Sequence, residues 1–294
     1  MNLVQSSVQN VLTARARLGE GPVWDADQQK LYWVDIYNYR VHQFDPTTGK
    51  DRYFEVGDLV SAIAIAKPDQ LLLALRDRLA FLDLKTEKIE TLKSVKFSHP
   101  DTRFNDGKCD PQGRFWIGSI SQVPGEAALY RYDPDGSLNL METGLTNSNG
   151  LGWSPDGQTF YLTDSAKRTI YAYPFDGKTG KISDRRVFVN LGNEAVEPDG
   201  LTIDTEGNVW SALWDGWAVV CFNPNGEEIL RVEMPVQRPT CPTFGSPHLT
   251  DLYITSASVG LNQKEIQQGF YAGDLFCVST VVPGMPTYSF KSGI

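Results

Sequence analysis

Glu20, Asn105, Asn149 and Asp199 are the residues whose types and spacing could do chemistry. With Ala62 and Thr240 they occupy equivalent positions of a six-fold repeat, at successive intervals of 42, 43, 44, 50 and 41 residues. Two carboxylates and two amides brought to one place offer only oxygen donors. Such a set suits a hard divalent cation such as Ca²⁺, Mg²⁺ or Mn²⁺. Three or four protein oxygens also leave room for water and substrate, which a catalytic metal requires. Singly, each of these residues is one that turns use for backbone reasons; their recurrence at one repeat position is what points to a site.

The elements that must position them follow from the repeat itself. Six aromatic- or leucine-rich segments recur: LYWVD from Leu31, LLLAL from Leu71, RFWIGS from Arg114, FYLTDS from Phe160, VWSAL from Val209 and LYITSAS from Leu252. Each follows a turn rich in Asp, Pro, Gly or Asn and is preceded by a small apolar strand. A third strand follows each time, and a more polar fourth follows the first five, as in RYFEV from Arg52 and ILRVEM from Ile229. Short strands separated by turns, in units of about 40 residues, specify the blades of a propeller. The expected fold is all-β: one six-bladed β-propeller of four-stranded antiparallel blades, a single domain over residues 1–294 with no linker. The last repeat has no outer strand of its own after Cys277, whereas VLTARARL before Glu20 is a spare strand. The N-terminus is therefore expected to complete the last blade and close the ring. Helix should be nearly absent, and Ser258 to Gly269 is the longest loop. The innermost strands of a propeller line its channel, so the six aligned positions ring one mouth.

Composition narrows the function classes. A net charge of −9 and a pI near 4.9 argue against nucleic acid, whose phosphates require basic patches. No apolar run approaches the roughly 20 residues that span a membrane. The first residues show no signal-peptide h-region, and the four cysteines (Cys109, Cys221, Cys241, Cys277) form no CxxC. Reduced thiols and a cytoplasmic location are the expectation. The three histidines, His42, His99 and His248, lie in no HExxH, and no GxSxG is present, so neither a zincin nor a nucleophile elbow is supported. The aromatic stripe Trp33, Trp116, Tyr161, Trp210 and Tyr253 repeats by blade and reads as inter-blade core. A closed propeller leaves no edge that must pair, which is consistent with a monomer or weak homo-oligomer.

Four longer motifs carry a resemblance: LGEGPVWD from Leu18, RFNDGKCDPQGRFWIGS from Arg103, NSNGLGWSPDGQTFYLTDS from Asn147 and EPDGLTID from Glu197. In this order, over nearly the whole chain, they resemble the SMP-30/gluconolactonase/luciferin-regenerating (regucalcin-like) family. The resemblance implies a six-bladed propeller and a hydrolase that opens a small sugar lactone to the aldonic acid. It implies one divalent metal ion (Ca²⁺, Mg²⁺, Mn²⁺, Zn²⁺ or Fe²⁺) held by Glu20, Asn149 and Asp199. Asp199 would double as catalytic acid/base, and Arg103 and Asn105 would contact substrate. Hydrolysis of another ester or phosphoester at the same site, or a non-enzymatic Ca²⁺-binding role, are the alternatives. The segment SISQVPGEAALY departs from the family. It is short, and Glu126 is the only acid in it, where relatives often carry an acidic substrate contact on a longer loop. AGDLF, at Ala272 to Phe276, stands where many relatives read GGLF.

Overall fold

Alternating apolar residues and frequent turns leave the chain no way to bury its surface except as packed sheets. The computed structural model describes residues 3–192 and 195–293. It shows six antiparallel sheets, five of them with their strands in chain order from the axis outward and the sixth with the N-terminal strand outermost. Their inner strands are Gly19–Asp25, Val60–Lys67, Arg103–Cys109, Ser148–Trp153, Glu197–Ile203 and Pro239–Gly245. Each inner strand touches the next, and the last touches the first, so the ring closes into a six-bladed β-propeller. Blade four carries an additional short strand, Lys181–Ile182.

Closure happens as the sequence implies. Gln9–Leu12 pairs antiparallel with Leu275–Ser279 and supplies the fourth strand of blade six. The strand lies slightly upstream of the expected VLTARARL and ends at Leu12. There the Asp274 carboxylate accepts from Asn10 Nδ2 (2.7 Å) and from the Arg15 backbone N–H (3.0 Å), drawing the chain out of the sheet. The long loop after blade six's second strand differs from expectation in holding a helix, Gln263–Gln268. Its signal was local. Asn262 caps the N–H groups of Lys264 and Glu265, and Glu265 reaches back to the Asn262 N–H, a reciprocal capping box.

Six apolar clusters fill the six gaps between blades. The aromatic stripe belongs to them, with Trp33, Trp116, Tyr161, Trp210 and Tyr253 all buried. Truncating one of these rings, Trp210→Ala for instance, should cost about 3–5 kcal/mol. The C-terminal segment crosses the mouth opposite the aligned residues. It is tied by Met285 N–H to Ile203 O, Phe290 N–H to Ile65 O and Lys291 N–H to Gly113 O, so it links blades five, two and three. All four cysteines are free, and Cys109, Cys221 and Cys241 are buried.

The N-terminal strand clasps the outer edge of blade six. A chain beginning at Thr13 should retain the fold but melt about 5–10 °C lower. That corresponds to a loss of two or three kcal/mol at roughly 2–4 °C per kcal/mol. Thermal unfolding followed by circular dichroism checks this; an unchanged midpoint would show that the clasp contributes nothing.

Candidate active site

Every inner strand is interrupted near its start, where its pairing with the second strand shifts register. A bulge of this kind bends the strand and re-aims its side chains. Ahead of it, the residues paired at equivalent places of the second strands are Gly19 (with Asp35), Val60 (Leu75), Phe104 (Ser119), Ser148 (Asp164), Pro198 (Leu213) and Pro239 (Ser256), and in blade one Glu20 also pairs, with Val34, before the shift. The next residues are Glu20, Ser61, Asn105, Asn149, Asp199 and Thr240. The equivalent position in blade two is therefore Ser61, not Ala62: blade two's shift sits between Val60 and Ala62 and spans fewer residues than the others. The ring is polar at all six places, and Ser61 and Thr240 are already engaged, with Ala74 O and with Gly19 O.

Four of the six line one cavity of about 210 Å³: Glu20, Asn105, Asn149 and Asp199. Ligand pockets for drug-sized molecules run to about 300–1,000 Å³, so this one suits a small polar molecule. All four side chains are buried. Their hydrogen bonds divide them. Asn105 is saturated: its Oδ1 accepts from Arg103 Nη1 (2.8 Å), and its Nδ2 donates to Asn147 Oδ1 (3.1 Å) and Ser148 O (3.0 Å). Asn149 spends only its Nδ2, on Ser165 Oγ (3.1 Å), which in turn donates to Pro198 O (2.7 Å). That leaves Asn149 Oδ1 buried without a partner, and Asp199 Oδ1 is in the same state. Glu20 Oε2 accepts only from the Gly21 N–H (3.0 Å).

The electrostatics agree with this division. Burial pushes the Glu20 carboxyl well above the usual range, and the charges of Asp199 and Asp106 push it further. Asp199 is raised by burial and then by Asp106. Burial also lifts Asp106, against the pull of Lys108, whose Nζ donates to Leu201 O (2.9 Å). Arg103 is half-buried, and its loss of water lowers its guanidinium, while Tyr37 and Glu20 support its charge. Two carboxylates and an amide thus line one cavity, and the Asn149 Oδ1 and Asp199 Oδ1 atoms have no hydrogen-bond partner there. A divalent cation is the natural occupant of such a set, because it supplies the missing charge to oxygens that have no other partner. Among the described residues no group of three or more His, Cys, Asp or Glu side chains is arranged to hold a metal, so a set here would need the Asn149 amide oxygen as its third donor.

The elements around the cavity are fixed from behind. Asp35 accepts from the Arg17 and Leu18 N–H groups, and Asp164 accepts from those of Thr146 and Asn147, so each carboxylate anchors the segment entering an inner strand. In the layer below the ligands, Gly150 lies against blade five: a Cβ there would come within 2.5 Å of Asp199 O and Leu201 N. Sequence reasoning missed the cavity-lining Tyr37, Asn147, Ser165, Glu197 and Trp214. Asn147, Ser165 and Glu197 stand within quoted motifs, but Tyr37 and Trp214 come from positions that follow the repeat only loosely. Glu126 does not reach the cavity; it is exposed and accepts from Ser98 Oγ (3.0 Å).

Fold and site define a propeller with an oxygen-rich centre at one mouth of its channel. The chain belongs to the SMP-30/gluconolactonase/LRE-like family, whose model matches residues 18–258. It is 35% identical over 290 residues to the pentonolactonase XacC of Haloferax volcanii, covering 96% of this chain and 97% of that protein. It is 36% identical to regucalcin of Gallus gallus, covering 94% and 95%. A crystal structure of the calcium-binding protein regucalcin from Agrobacterium tumefaciens superimposes with a TM-score of 0.94 at 26% identity, covering 99% of each chain. No helix among the described residues is long and apolar enough to cross a membrane.

The contact under Gly150 gives a test of the scaffold. Gly150→Ala should push blades four and five apart at Asp199 and cost about 1–3 kcal/mol, the usual range for overpacking. It should also weaken the thermal stabilisation that added divalent ion gives. An unaltered melting curve, with and without ion, would show that the gap tolerates a methyl group.

Proposed function

We propose that this protein is a metal-dependent hydrolase that opens a small sugar lactone to the aldonic acid. The observation that carries the reading is the pair of buried, unpartnered oxygens, Asn149 Oδ1 and Asp199 Oδ1, in the same cavity as Glu20 and the guanidinium of Arg103. Glu20, Asn149 and Asp199 would hold one divalent ion, and the donor set fits it. When bound, the ion supplies Lewis-acid stabilisation of the negative charge that develops on the carbonyl oxygen.

The chain's own residues do the rest. Arg103 is held by its Nη1 bonds to Phe104 O and Asn105 Oδ1 (both 2.8 Å), and a guanidinium has further N–H groups to offer substrate oxygens. Asn105, locked between Arg103 and the Asn147–Ser148 segment, fixes where those donors point. Asp199 takes a proton from the attacking water as its oxygen bonds to the carbonyl carbon. It returns that proton to the ring oxygen as the acyl C–O bond breaks. The cavity holds the lactone carbon in reach of these groups. The full-length likeness to a pentonolactonase supports the substrate class. The likeness to calcium-binding regucalcin favours Ca²⁺ storage as a second reading. A half-buried guanidinium lining the same cavity has no purpose in a store, and it weakens the attraction for a cation.

The test is proton release from a panel of aldonolactones by metal-stripped protein, with each divalent ion restored in turn. Turnover above the spontaneous rate should need the ion. Asp199→Asn should lower it by about 10²-fold or more, in the range for a lost acid/base group. Full turnover by stripped protein, or by Asp199→Asn loaded with metal, would contradict the reading.

A further inference from the structure

One carboxylate in the cavity is not absorbed by the metal centre or by the contacts the family resemblance implies. Glu197 opens the inner strand of blade five and pairs in register with Trp214 on the next strand. Residues directly opposite in an antiparallel pair project from the same face, with Cβ atoms about 4.5–5.5 Å apart. Both line the cavity. Glu197 makes no hydrogen bond or ion pair with any described residue. Trp214, by contrast, is fixed from behind. The Arg238 guanidinium lies 4.6 Å from its ring centroid, and that guanidinium is held by Asp215 (2.6 and 3.3 Å) and by Val259 O. One face of the indole is therefore covered and the ring immobilised, while its remaining surface bounds the cavity next to a carboxylate free to accept hydrogen bonds.

An aromatic surface beside a free carboxylate is chemistry that recognises a polyol. C–H groups pack on the ring, and neighbouring hydroxyls donate to the two carboxylate oxygens. We infer that Glu197 and Trp214 form a subsite for the hydroxyl-bearing end of the substrate remote from the lactone carbonyl, and that this subsite selects neutral lactones over lactones carrying a second carboxylate. The selection rests on charge. Asp215 and Asp164, the acids nearest Glu197, are paired with Arg238 and Lys167, and Arg168 is the other cation near it, so the Glu197 carboxylate, which no described side chain pairs with, is itself the negative charge a ligand meets. A carboxylate placed there would meet like charge, the repulsive element that specificity often needs. The inference rests on the lactonase reading and specifies its substrate class.

The experiment compares kcat/KM for a neutral pentonolactone and for an aldaric acid monolactone, using metal-loaded wild type, Glu197→Gln and Trp214→Phe. The wild type should favour the neutral lactone by at least about tenfold, about 1.4 kcal/mol. Glu197→Gln should erase most of that preference. Its KM should rise for the neutral lactone and fall for the acidic one. Trp214→Phe keeps an aromatic surface and should keep the preference, which shows that the rim still folds. A Glu197→Gln enzyme with both KM values and their ratio unchanged would overturn the subsite. If the wild type opens neither lactone, the lactonase reading fails separately. The subsite is then read from thermal shifts: greater stabilisation of wild type than of Glu197→Gln by the neutral lactone supports it, and equal stabilisation overturns it.

Discussion

Everything at the working mouth of this propeller depends on one electrostatic constraint. Glu20, Asp199 and Asp106 are carboxylates buried near one another, and the half-buried Arg103 and Lys108 oppose them. Burying an unpaired charge costs far more than a domain can spare, so such groups either hold protons or meet a cation. Asn149 and Asp199 each turn a bare oxygen toward this place, while Asn105 has turned its own toward Arg103. The site is thus divided within itself, with free oxygens on one side and a guanidinium on the other. In the proposed reading, a divalent ion would take the first side and a lactone the second.

The propeller makes this arrangement possible because it converges six strands on an axis without help from the site. The apolar clusters between blades hold the ring together. The interruption repeated in every inner strand then turns one residue per blade toward the mouth. Close backbone approach at Gly150, and at Gly200, where a Cβ would strike Cys241, sets the ligands at their separation. The opposite mouth is crossed by the C-terminal segment, which leaves the ligand end as the open approach.

Much of this could be read from the sequence. Strand count, blade order and closure by the N-terminus follow from a periodic pattern, and periodic patterns survive local noise. Glu20, Asn105, Asn149 and Asp199 were legible for the same reason: each sits at the register shift of its inner strand, Glu20 as the last residue paired before it and the others one residue past the last pairing. Blade two was misaligned by one residue, Ala62 for Ser61, because its interruption is shorter and leaves no mark in composition. Nor could spacing separate Asn105 from Asn149; an amide's role depends on which partners saturate it, and those partners come from the neighbouring blade. Tyr37 and Trp214 lie at blade edges, where the repeat no longer dictates residue type. Glu197 lay in view within EPDGLTID, but its significance required its register with Trp214. The helix Gln263–Gln268 was hidden for a different reason: its capping box is local and belongs to one blade alone.

The most direct measurement is equilibrium binding of Mn²⁺ to metal-stripped protein, read from the paramagnetic signal of the free ion, for wild type, Asn149→Ala and Ser61→Ala. Asn149→Ala removes one of the unpartnered oxygens, whereas Ser61 occupies the same ring position with its hydroxyl already engaged. The account predicts one ion per wild-type chain, binding weakened by about tenfold or more in Asn149→Ala, and no change in Ser61→Ala. Absence of stoichiometric binding by the folded wild type, or equal affinity in wild type and Asn149→Ala, would contradict it.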